Sequence, residues 1–131
     1  PYHGIQWHEN DGGYPFKVHP LTHLYGCNAA KAADIDGDGD VDIFASVFLP
    51  YIRKETPGSE FTESLVWLEQ VEPGRFERYS LEKMTCFHPT LDLGDFDNDG
   101  DVDLVVGNMT MAKRKEDTLA YWAVLWKNKR R

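Results

Sequence analysis

Two short apolar runs, VDIFASVFL at 41–49 and VDLVV at 102–106, are rich in β-branched and aromatic residues and are closed by Pro50 and by Gly107-Asn108. That length, composition and termination predict β-strands. A polar run precedes each: DIDGDGDVD at 34–42 and DFDNDGDVD at 95–103, with five aspartates at alternate positions in each and 61 residues between the first aspartates. A second apolar pattern, IQWHEN at 5–10, returns as LVWLEQ at 65–70 and, abbreviated, as VLWKN at 124–128. Phe16 recurs as Phe76 and Leu21 as Leu81, and between the tryptophan and phenylalanine segments stand Asp11-Gly12-Gly13 and Glu72-Pro73-Gly74. Those are hairpin-turn compositions. The recurring unit therefore reads as an acidic loop, a strand, a long connection and a β-hairpin, with a period near 60. Several strands per unit at such a period suit the blade of a β-propeller, longer than a WD40 blade of about 40–45 residues.

The aspartate spacing carries the chemistry. Calcium is a hard cation that takes six to eight oxygens at about 2.3–2.6 Å, and a tight loop can turn alternate side chains inward. Asp34, Asp36 and Asp38 are expected to supply carboxylates, Gly39 the sharp turn, Asp40 its carbonyl oxygen and Asp42 the closing carboxylate. In the second copy Asp95, Asp97, Asp99, Gly100, Asp101 and Asp103 take those parts, giving two Ca²⁺ sites. Magnesium prefers a rigid octahedron and keeps its waters, so calcium is the better match. An EF-hand or dockerin loop begins with the same alternation but ends in a bidentate acid at the twelfth position, on a helix. Here the twelfth positions are Ala45 and Val106, inside predicted strands.

With D-x-D-x-D-G-x-x-D satisfied at every position of both loops and an apolar strand after each, the chain resembles the FG-GAP or VCBS-type repeats, known from the propeller of integrin alpha subunits and from secreted bacterial proteins. The resemblance implies calcium held in a connection within each blade, at one face of a propeller. The expected organisation is a hairpin of a preceding blade at 1–21, a full repeat at 22–81 and an incomplete last repeat at 82–131. Propellers close with typically four to eight blades, so a little over two blades would need completion, by missing N-terminal blades of a longer chain or by other chains. Pro1 at the start and KNKRR at 127–131 after a strand favour a C-terminal piece of a larger protein.

Charge sharpens this picture. The formal charge of −8 becomes +2 without the ten loop aspartates and −4 with two calcium ions bound, so the acidity belongs to the loops and a nucleic-acid partner is not expected. No apolar run approaches the length of a membrane-spanning helix. The cationic residues at 113–115 and 127–131 read as a solvated loop and tail. Cys27 and Cys86, 59 residues apart and each leading into an acidic loop, are either two free thiols or a disulfide between neighbouring blades.

Trp7, Trp67 and Trp126 recur with the unit and read as packing before ligand stacking; Tyr121 and Trp122 lie outside it and would be available to stack on sugar. His8 and His19 occupy hairpin positions where the next copy has Leu68 and Tyr79, while His23 and His88 enter the acidic loops. A channel-lining role for His88 beside Cys86 is the one catalytic thought the histidines allow, against an ordinary loop histidine, and no catalytic set can be assembled from this chain. The expected function is a calcium-stabilised structural and binding scaffold, for a protein or glycan ligand, in an exported protein at the cell surface, outside the cell or in a periplasm. The alternatives are part of a propeller-based lyase or dehydratase, and a lectin-like oligomer.

Overall fold

The computed structural model describes residues 3–52, 56–109 and 121–129 of the chain. The cationic residues at 113–115 and 130–131 lie outside them, as do Pro1 and Tyr2. The described chain is all-β, in three antiparallel sheets of which none is closed. Strands β1 (Gly4–Glu9) and β2 (Lys17–His23) form the first. The central sheet runs in sequence order through β3 (Cys27–Ala33), β4 (Asp42–Val47), β5 (Glu63–Glu72) and β6 (Arg75–Lys83). The third holds β7 (Thr90–Gly94), β8 (Asp103–Gly107) and β9 (Ala123–Trp126).

The inner strands of the central sheet are buried on both faces, which is why β4 and β5 read as nearly unbroken apolar runs rather than as alternation. Ala45, Val47, Val66 and Leu68 pack with Ile5, Leu24 and Cys86 on one side. Phe44 and Leu65 pack with Ile35, Leu91, Leu104 and Val106 on the other. Successive residues of β4 thus serve two cores, as the two-residue period of a strand dictates. The first and third sheets lie against opposite faces of the central one.

Pairing register fixes what corresponds to what. Trp7 stands opposite His19 and Trp67 opposite Tyr79, and each tryptophan lies against its partner's ring, stacked in the first pair and tilted in the second, with ring centroids 4.7 and 5.1 Å apart. Trp126 departs from the expected pattern. It pairs with Leu104, whereas the residue paired with Ile43, the first after the other acidic loop, is Leu68. Counted from the loops, Trp126 therefore stands where Leu68 stands and Leu125 where Trp67 stands, one residue off the spacing that the sequence invites.

The strand preceding each loop, β3 and β7, was not part of the expected unit. Strand β3 is CNAAKAA, and alanine has little intrinsic preference for strands; its place comes from pairing with β4 over Cys27–Ala33. The chain then leaves β6 through Met84 and Cys86, both with left-handed backbone. This strained corner is held by the buried Ser64, whose Oγ accepts from the backbone N–H of Thr85 and of Cys86 at 2.9 Å each.

Candidate metal centres

Each acidic run is the connection of a β-hairpin, joining β3 to β4 and β7 to β8, and the segments that follow are strands and not helices. The loops turn in the same way. Gly37 and Gly39 in the first have φ of 72° and 99°, and Asn98 and Gly100 in the second have 63° and 94°. Glycine adopts that left-handed backbone at no steric cost and asparagine is among the few other residues that do, which accounts for DGDG in one loop and DNDG in the other.

In the first loop one carboxylate oxygen each of Asp34, Asp36 and Asp38 come within 4.8 Å of one another, and Asp95, Asp97 and Asp99 do the same in the second. Oxygens sharing one ion at about 2.4 Å lie within about 4.8 Å of each other, so each triad is compact enough for a single calcium ion. Asp40, Asp42, Asp101 and Asp103 stand outside these triads. The last aspartate of each run has a different duty. Asp42 Oδ1 accepts the Gln70 backbone N–H at 2.8 Å, and Asp103 Oδ1 accepts that of Asn128 at 2.8 Å, so each ties its loop to the end of the third strand of its sheet. A bidentate closing role for Asp42 or Asp103 would have to share an oxygen already engaged by the backbone.

The loops also differ in how far the protein satisfies them. In the first, Asp38 N–H donates to Asp36 Oδ1 at 3.1 Å and Asp40 N–H to Asp38 Oδ1 at 3.0 Å. Asp34 Oδ1, Asp40 Oδ1 and Asp42 Oδ2 are buried without a hydrogen-bond partner. Buried carboxylate oxygens without partners are costly and uncommon in native folds. Burial pushes the carboxyl groups of Asp40 and Asp42 above the usual carboxylate range, with neighbouring aspartates adding to the effect. The Trp67 indole N–H, itself short of hydrogen-bond geometry, favours the ionised form of Asp42 from nearby.

The second loop is more nearly self-sufficient. Asp95 accepts the N–H groups of Asp99 and Gly100 at 3.1 and 3.0 Å, and Asp99 accepts that of Asp101 at 3.0 Å. Asp103 Oδ2 takes the N–H of Phe96 at 3.1 Å. Lys127 Nζ reaches Asp97 Oδ2 at 2.7 Å, which holds the Asp97 carboxyl below its usual range. Lys127 is exposed, as the reading of a solvated tail expects, but it is also paired: residues 104–107 pair with β9 in a register that carries the end of that strand to the loop.

The other residues singled out in the sequence lie outside the acidic runs. His88 is buried, with Nε2 2.5 Å from Glu82 Oε2 and Nδ1 2.7 Å from Asn108 Oδ1, so both ring nitrogens face protein groups. Asn108 in turn donates to the Tyr121 carbonyl at 3.1 Å, which orients its amide. His23 ends β2 with Nδ1 3.3 Å from the His3 carbonyl, exposed. Cys27 and Cys86 are free thiols that both pack on the core between the first and central sheets, and burial raises both. Tyr121 and Trp122 are exposed. Among the described residues no helix is long and apolar enough to cross a membrane. Compared with known proteins, the chain matches no family model, no curated protein and no solved structure.

Proposed function

We propose that this chain is a run of calcium-stabilised β-propeller blades of FG-GAP or VCBS type, acting as a structural and binding scaffold within an exported protein. The observation that carries the metal is the first loop. Three of its carboxylate oxygens are buried without a donor while a triad of carboxylates converges beside them, and a divalent cation answers both conditions. Asp34, Asp36 and Asp38 would hold one ion and Asp95, Asp97 and Asp99 another. Each ion would cancel carboxylate repulsion and pin the turn between two strands, and its binding energy would add to folding energy.

The blade reading is supported by the way the sheets pack. The four strands β3 to β6 follow one another as a meander, and the flanking sheets lie face to face with this one. The two outermost faces retain apolar residues, with Val18 49% exposed on the first sheet and Leu125 41% exposed on the third. Further sheets of the same kind are the partners that would cover them, and the ligand, a protein or a glycan, would be met by the assembled ring. Both nitrogens of His88 are engaged inside the fold, and among the described residues no observation favours an active site built on it.

Isothermal titration of the metal-free chain tests the metal. Two calcium ions per chain should bind by millimolar calcium, and magnesium should compete poorly. Absence of binding at millimolar calcium would overturn the proposal.

A further inference from the structure

We propose that the two loops are unequal calcium sites, and that Lys127 makes them so: its ammonium group is a built-in counter-ion of the second loop that an incoming ion must displace, so the first loop fills first. This deepens the calcium reading and rests on it.

The struts place the two loops in register with each other. Gln70 N–H binds Asp42 and Asn128 N–H binds Asp103, both at 2.8 Å, so Gln70 and Asn128 hold the same place. The residue immediately before is Glu69 for the first loop and Lys127 for the second. An acid thus precedes one strut and a base the other. Lys127 Nζ lies 2.7 Å from Asp97, a member of the triad itself, and is drawn also by Asp99 and Asp103.

The buried aspartates tell the same story. Asp42 is 1% exposed and its second oxygen has the Trp67 indole and Ile35 backbone N–H groups nearby but outside hydrogen-bond geometry, whereas its counterpart Asp103, 0% exposed, has one well-placed N–H on each oxygen. The first loop therefore leaves unanswered charge for a metal to satisfy, and the second already meets much of its own. An ion entering the second loop must break the Lys127–Asp97 pair and then sit near a displaced positive charge. A unit charge held about 5 Å from a divalent ion in water-like surroundings weakens binding on the order of tenfold.

The experiment is a competition titration of the metal-free chain with calcium against a chromophoric chelator, which returns stepwise constants. Wild type should show two steps at least about tenfold apart. Asp99→Ala should remove the weaker step and leave the tighter one. Lys127→Met should tighten the weaker step about tenfold and leave the tighter step in place, while Lys127→Arg, which keeps the charge, should retain the separation. If wild type binds in two steps of equal strength, or if Lys127→Met leaves the weaker step unmoved, the inference is overturned and the calcium reading stands. If wild type binds no calcium, both fall.

Discussion

In a chelator the chain should melt about 15 °C below its melting temperature in millimolar calcium, as read by circular dichroism or calorimetry. A ligand present at about a hundred times its dissociation constant stabilises the native state by about 2.7 kcal/mol and a site about tenfold weaker adds about 1.4, so the two loops together give about 4 kcal/mol. For a domain of this size each kcal/mol moves the transition by roughly 3–4 °C. The physical source is in the loops. Each brings three carboxylates within 4.8 Å, and the first also buries three oxygens that lack a donor in hydrogen-bond geometry. Magnesium at the same concentration should restore little of the loss, because it gives up its waters reluctantly and demands a rigid octahedron. Melting curves that coincide with and without chelator would remove the stabilising role of the metal.

Replacing Asp42 by asparagine should have opposite consequences in the two conditions. In calcium the Asp42→Asn chain should lose the larger part of the metal-dependent gain, about 2–3 kcal/mol, since the first loop loses charge at its buried end. In chelator it should melt at or above wild type. The amide oxygen still accepts the Gln70 N–H, while the substitution removes an ionised group that burial holds in an unfavourable place. The sign of the second effect is what separates the metal account from a simple strut. Were Asp42 only a hydrogen-bonding post, both melting curves would fall together or neither would move.

Much of this was legible in the chain because the informative residues are local. Five alternating aspartates, a glycine at the sixth position and an apolar strand describe a loop without help from the rest of the fold, and the β4 and β5 runs announce burial through composition. What was hidden depends on contacts distant in sequence. Strand β3 is alanine-rich and is made a strand by pairing with β4; β7 is only five residues long and is fixed by β8. The struts from Asp42 and Asp103 reach residues 28 and 25 positions away, so nothing in the acidic run betrays them. Lys127 looked like one charge among several near the end, and only the register of β9 sets it on Asp97. The same register separates Trp126 from Trp67: motif spacing suggested equivalence, and strand pairing places the two tryptophans one residue apart in the pattern. His88 could be weighed only by its neighbours, and Glu82 and Asn108 come from a strand and a corner on either side of it.

Long-wavelength anomalous diffraction from crystals grown in millimolar calcium addresses the metal directly. One peak should stand inside each acidic loop, with six to eight oxygens at about 2.3–2.6 Å. Asp34, Asp36 and Asp38 should be among the ligands of the first, and Asp95, Asp97 and Asp99 among those of the second, with Lys127 turned away from Asp97. Loops that show no peak at that concentration, with the Lys127–Asp97 pair still closed, would contradict the account at its base.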